Sequence, residues 1–355
     1  MNAPAPDPPP FVVLDEAVDA ARASLPPDVL AYLEGGADDE YTLAENRRAF
    51  ARWQLRPRML TGAPAADPST KFLGLPVAMP ILVAPFAGDT LFHRDGYRGV
   101  LEAAAAVGTL AVVPEVTGET LEALAGAVPD AARVFQLSLR HPRAVLVDLL
   151  RRAADAGYAA FCVTVDVPVV GVRRRELRHP GARMEIANFR SRVTGFMDDT
   201  GERERPWTWA RLAEVMATTD LPFAVKGVLT PDDARAAVDA GASAVYVSNH
   251  GGRQLDGAPA TLDQVAAVVD EVAGDAEVAV DGGVRSGGDV VKALALGACT
   301  VLVGRPACYG LAAAGTEGVR RVLEILRHEV VTAMTLLGRA RVDDLDRWVL
   351  QAAPR

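Results

Sequence analysis

The stretch SAVYVSNHGGRQLDG (residues 243–257) carries a strand in its first six residues and a polar, glycine-rich loop in the rest. Residues 243–248 form an apolar, β-branched run, the pattern of a parallel strand buried on both faces. The run ends in Ser248, Asn249 and His250, and two glycines follow. The same arrangement recurs along the chain at 80–86 (PILVAPF), 109–113 (TLAVV), 133–137 (RVFQL), 159–167 (AAFCVTVDV), 221–227 (LPFAVKG), 277–283 (EVAVDGG) and 299–304 (CTVLVG). With 243–248 there are eight such runs, separated by helical stretches such as 231–240 and 287–296. This rhythm predicts an α/β fold, a (β/α)8 TIM barrel, with an open doubly wound sheet as the alternative.

The 355 residues, half of them hydrophobic, are enough for one large core. Residues 14–355 read as a single barrel domain and the proline-rich residues 1–13 as a disordered tail. Residues 14–50 carry helical patterning, with Leu25-Pro26-Pro27-Asp28 as a helix start and Gly35-Gly36 as its stop. One long connection, Arg173 to Trp207, has weak periodicity and reads as a loop lying over the barrel mouth.

A formal net charge of -9 argues against a nucleic-acid partner, which would require a basic field over one face. No apolar run approaches the roughly 18 residues needed to span a bilayer. The N-terminus lacks the basic and apolar regions of a signal peptide, so a cytoplasmic protein with no membrane partner is expected. Cys162, Cys299 and Cys308 are an odd set without CxxC spacing, and read as reduced thiols, not disulfides or metal ligands.

Catalytic groups on barrels project from the C-terminal ends of the strands. Here those ends carry Gln136, Thr164 and Asp166, Lys226, then Ser248, Asn249 and His250, then Asp281, Gly282 and Gly283, and finally Gly304 and Arg305. Helix capping alone does not call for a Gln, a Thr, an Asp, a Lys and a His converging from successive strands. The glycines from Asp281 to Gly288, with Arg285, Gly304 and Arg305, match a barrel phosphate site. His250, flanked by glycines and followed by Arg253, offers a base beside a carboxylate anchor. His93, His141, His179 and His328 read as exposed bystanders. A sugar-phosphate isomerase or aldolase using Lys226 as a Schiff-base amine, and a binding scaffold without turnover, remain open alternatives.

The segment VSNHGGRQLDG strongly resembles the signature of FMN-dependent 2-hydroxy acid oxidases and dehydrogenases, a family that includes glycolate, lactate and hydroxymandelate oxidases. The similarity runs from about Leu25 to Leu337 and includes Gly36 to Glu40, Thr164-Val165-Asp166, Val225-Lys226-Gly227 and Asp281-Gly282-Gly283. The resemblance implies one FMN, contacted by Pro85, Phe86, Ala87, Gln136, Thr164, Lys226 and Ser248. It implies a phosphate site at Asp281, Gly282, Gly283, Arg285, Gly304 and Arg305. It also implies a 2-hydroxy acid substrate held by Tyr32, Arg173 and Arg253, with His250 as base and Asp166 stabilising its protonated ring. Ala87 inclines the reading toward an oxidase using O2, and a homotetramer or other homo-oligomer is expected.

The chain departs from the family in two places. Pro114-Glu115-Val116 stand where relatives commonly have Ser-Ser-Trp, and Ser138 stands where they have a tyrosine. Val116 and Ser138 then imply a wider, wetter pocket suited to an aryl or other bulky 2-hydroxy acid such as mandelate. Glu115 reads as a solvent-exposed loop carboxylate, the alternative being a contact to a cationic substrate group.

Overall fold

The computed structural model describes residues 10–189, 191–194 and 208–354. All eight apolar runs form strands: β1 (Ile81–Val83), β2 (Ala111–Pro114), β3 (Arg133–Ser138), β4 (Ala160–Thr164), β5 (Phe223–Val228), β6 (Ala244–Val247), β7 (Glu277–Val280) and β8 (Thr300–Val303). They pair in parallel, each with its sequence neighbour, and β8 pairs with β1 to close the barrel. Closure rules out the open sheet.

Two apolar layers hold the barrel. Outward-facing residues such as Ile81, Val113, Phe135, Val225 and Val245 meet the surrounding helices. Inward residues are smaller: Ala160, Cys162, Ala224, Ala244 and Ala279 form the interior with Leu82, Val112, Val134, Tyr246 and Leu302. Because a strand alternates faces with period two, each interior column continues into the mouth. Ala160 and Cys162 lead to Thr164, Val134 leads to Gln136 and Ser138, and Ala224 leads to Lys226. The polar strand ends therefore converge on one opening.

A hairpin absent from the sequence reading, Thr70–Phe72 with Leu75–Val77, presses Phe72, Leu73 and Val77 onto that interior cluster. Its turn places Leu73 at φ 51° and Gly74 at φ 76°, the left-handed pair of a tight hairpin. The N-terminal helical region resolves into three helices, Leu14–Ser24, Pro27–Glu34 and Tyr41–Ala51. The second begins at Pro27 and stops at Gly35, as read from the sequence.

Two boundaries are corrected. The tail expected to reach residue 13 stops short of Phe11, which is 4% exposed and packs in the core; residues 1–9 lie outside the described residues. The connection from Arg173 to Trp207 is not irregular throughout. It contains a helix, Arg174–Arg178, and the antiparallel strands Arg183–Ile186 and Ser191–Thr194. Met184 and Ile186 are buried two residues apart, a repeat too short to stand out in sequence. Residues 195–207, including Phe196 and Trp207, lie outside the described part.

Gly283, just past β7, has φ +82°, and a Cβ there would overlap the Asn46 carbonyl oxygen. Gly283→Ala is expected to cost about 2 kcal/mol or more, from left-handed strain plus overpacking. Denaturant unfolding should show a lower midpoint with an unchanged slope; an unchanged midpoint would mean that the N-terminal helices yield at no cost.

Candidate active site

Of the site residues named from sequence, all but Asp166 and Ser248 line one cavity at the mouth, and those two stand directly behind His250. His250 takes φ 58° in the turn after β6, and its backbone N–H donates to Ser248 Oγ at 3.1 Å. Its Nδ1 lies 3.2 Å from Asp166 Oδ1. Gly227 permits that approach, since a Cβ there would sit 2.6 Å from the Asp166 Cβ. Burial lowers the His250 pKa below the ordinary imidazole value, with the Asp166 charge opposing it. Burial also opposes ionisation of Asp166, but His250 and Lys226 outweigh it and keep the group a carboxylate. The pair is a neutral imidazole backed by an anion, which suits a proton acceptor whose charged form is stabilised as it forms.

Lys226 donates to Ser248 Oγ at 3.0 Å and lies 3.8 Å from Asp281 Oδ2. Burial disfavours its charge, yet Asp281 and Asp166 raise its pKa, so it stays an ammonium. That removes the support for a Schiff-base amine, which must be neutral to attack. Tyr246, inside the barrel, donates to Asp281 Oδ2 at 2.8 Å, while Asp281 Oδ1 is buried without a partner. Gln136 Nε2 donates to Thr164 Oγ1 at 3.0 Å.

Arginines crowd the other side. Arg173 is 2% exposed, and its Nε donates to the Arg253 carbonyl oxygen at 3.3 Å. One oxygen of Glu176 accepts from Arg173 at 3.3 Å and from Arg253 at 3.0 Å. The Arg253 guanidinium lies 4.8 Å from the centre of the Tyr32 ring, whose hydroxyl donates to the Ala87 carbonyl oxygen at 3.1 Å. Burial, aided by Arg253, pushes the Arg173 pKa down to about 10. Burial, aided by Arg253 and Arg285, pushes that of Arg305 down to about 9. Cations packed this closely are relieved by bound anions.

The phosphate end is narrower than the glycine-rich sequence suggests. Ser286 and Asp289 form a capping box that satisfies the helix Gly287–Ala295, and Gly287 packs against Glu329 and Val330. By contrast, the helix starting at Arg305 has no side-chain cap, and Gly304 at its N-terminus faces the cavity. Gly282 and Gly283, at φ +97° and +82°, line the same end with Arg285. Arg305 spends its donors on the carbonyl oxygens of Leu33, Gly251 and Gly35, which makes it a brace for these loops as well as a local positive charge.

A phosphate-bearing cofactor fits this set: an uncapped helix N-terminus, buried cations, and an orphaned Asp281 oxygen available to a ligand hydroxyl. A family model described as FMN-dependent dehydrogenase matches residues 21–352. The chain belongs to the FMN-dependent dehydrogenase family. It is an FMN-dependent oxidoreductase acting on CH–OH groups, which sets the isomerase and aldolase alternatives aside. It is 42% identical over 340 residues to a 4-hydroxymandelate oxidase of Amycolatopsis orientalis, covering 92% of this chain and 95% of that one. It is 40% identical to human 2-hydroxyacid oxidase 1, covering 98% of each. A solved structure of mandelate oxidase with benzoyl-formic acid superposes with a TM-score of 0.88 at 41% identity, covering 97% of this chain and 98% of that one. A lactate oxidase of Pediococcus acidilactici gives 0.91 at 34% identity, covering 97% and 96%.

Two sequence expectations fail at the wall between β2 and β3. Glu115 is not an exposed loop carboxylate: it is 2% exposed and accepts from Ser138 Oγ at 2.6 Å and Arg140 Nη2 at 3.3 Å. His141, read as a bystander, places Nε2 3.2 Å from Glu115 Oε2 and stacks on Phe189 at 4.6 Å. Burial disfavours the Glu115 charge, but His141 and Arg140 hold its carboxyl below the usual range. The part of the cavity lined by Val116 and Ser138 is thus bordered by a charged cluster.

Sequence reasoning also missed the ties that set the loops. Gln254 Nε2 donates to the Asp166 and Val169 carbonyl oxygens at 2.7 and 2.8 Å, while Asn46 and Asn249 exchange side-chain amide bonds at 2.9 Å. Gln254 lay inside the signature stretch and could have been singled out; nothing in sequence pointed to Asn46.

Proposed function

We propose that this protein oxidises an (S)-2-hydroxy acid with an aryl or other bulky substituent to the 2-oxo acid, with O2 as final acceptor. The observation that carries the reading is the meeting, in one cavity, of His250 backed by Asp166 with Arg173 and Arg253. The arginines suit a carboxylate, and a carboxylate held there fixes which face of Cα meets the cofactor. His250 takes the hydroxyl proton, and Asp166 stabilises the resulting imidazolium. Bound FMN supplies the two-electron acceptor. Lys226 offers positive charge where negative charge grows on reduction. Val116 and Ser138, small at positions where relatives commonly carry aromatic rings, support a bulky substituent, as does similarity to proteins named mandelate and 4-hydroxymandelate oxidase. The reading includes a cytoplasmic homo-oligomer.

The test is flavin reduction without oxygen by glycolate, lactate, 2-hydroxyoctanoate and (S)-mandelate, followed by peroxide release in air. Mandelate is expected to exceed glycolate in kcat/KM by about tenfold or more, from roughly 1–3 kcal/mol of extra apolar burial. A preference for glycolate overturns the bulky-substrate reading, and negligible reoxidation in air overturns the oxidase reading.

A further inference from the structure

The wall between the ends of β2 and β3 holds charged groups that oxidation itself does not use. Glu115 is saturated: besides Ser138 Oγ and Arg140, it accepts the Ser138 backbone N–H at 3.3 Å, and His141 stands 3.2 Å away. It has little capacity left for a ligand. Arg140 is different. It lines the cavity with its side chain 20% exposed and gives one bond to Glu115. Among the described residues no other acceptor reaches it, and its Nε is enclosed without a partner. A guanidinium has five N–H donors, so this wall presents donors in excess of acceptors.

Arg173 and Arg253 approach from the loops after β4 and β6, and the phosphate end lies at β7 and β8. Val116, Ser138 and Arg140, at the ends of β2 and β3, line the same cavity, and the reading above turns the α-substituent of a substrate held by those arginines toward them. We propose that this wall is a subsite for a neutral oxygen acceptor, an ether or carbonyl oxygen at the far end of the α-substituent, with Arg140 as its donor. This rests on the 2-hydroxy acid reading above. A purely hydrocarbon end would desolvate the guanidinium and return no bond. A second carboxylate would meet Glu115, which already balances the Arg140 charge.

The test compares 4-methoxymandelate with 4-ethylmandelate, which differ by one oxygen in place of a methylene, using 4-carboxymandelate as the anionic arm. Flavin reduction by the holoenzyme without oxygen gives kcat/KM for each. The methoxy acid is expected to exceed the ethyl acid by about tenfold or more, because the ethyl group leaves the donor unpaired. In Arg140→Met that ratio falls toward one; electronic differences between the acids are common to both enzymes and cancel. In Glu115→Gln the carboxy acid gains on the methoxy acid, because the balancing anion is gone. A ratio near one in the wild type overturns the proposal, and so does an unchanged ratio in Arg140→Met or an equal loss on both acids, which would make Arg140 only a support for Glu115. A wild-type preference for the carboxy acid assigns the wall to an anion and also overturns it. If Arg140→Met fails to fold, the wild-type ratio and Glu115→Gln decide. Unsubstituted mandelate separates the two levels: its failure to reduce the flavin removes the oxidation reading, whereas its success with a flat methoxy-to-ethyl ratio removes only this subsite.

Discussion

His250→Ala is expected to retain FMN and to lose flavin reduction by the 2-hydroxy acid by about 10²- to 10⁴-fold, the range for removing a positioned base. The ring sits on the turn after β6, whereas the phosphate end is built from residues at the ends of β7 and β8, so cofactor binding and proton removal rest on different side chains. The pH profile supplies an independent check. A base must be neutral, and burial holds the His250 pKa down, so the acid limb of kcat/KM lies below the ordinary imidazole value of about 6.5. Asp166 opposes that lowering, so Asp166→Asn moves the limb further down and leaves a weaker base. Reduction of His250→Ala at a near wild-type rate, or a limb well above the ordinary imidazole value, removes His250 from the proton transfer.

Arg253→Met is the second large effect. Its guanidinium donates to the carbonyl oxygens of Tyr32 and Gly35 at 2.6 and 2.8 Å, which fixes its direction, and it shares Glu176 with Arg173. Losing it removes the proposed carboxylate anchor and leaves Glu176 with Arg173 alone, a cost on the order of 3–5 kcal/mol or about 10²- to 10⁴-fold in kcat/KM. A folding defect would depress every substrate alike, so the decisive measurement compares a 2-hydroxy acid with its amide. The acid is favoured strongly in the wild type, and that preference collapses in the variant. If the acid-to-amide ratio survives, the carboxylate is held elsewhere.

The barrel was legible because burial on both faces forces eight apolar runs, and the period of two carries their polar ends to one mouth. Gln136, Thr164, Lys226, His250 and Asp281 were therefore found by position. The hairpin at 70–77 was not, since two three-residue strands leave no periodic trace. Neither were the interior helix and strands of the 173–207 connection, whose buried Met184 and Ile186 lie on a strand that packs against the short helix Asp89–Phe92.

Glu115 shows most clearly where sequence stops. A glutamate after a strand reads as solvated, and only folding brings Ser138, Arg140 and His141 around it from the end of β3 and the turn beyond. Glu176 against Arg253 and Asn46 against Asn249 are of the same kind, each a pairing between segments far apart in sequence. By itself the sequence determined the barrel, the polar residues that end its strands and the family, because these depend on local pattern and on residues in fixed order. Tertiary structure alone decided which charges are buried, which are already paired and which donors remain free, because those depend on what each side chain meets across the cavity.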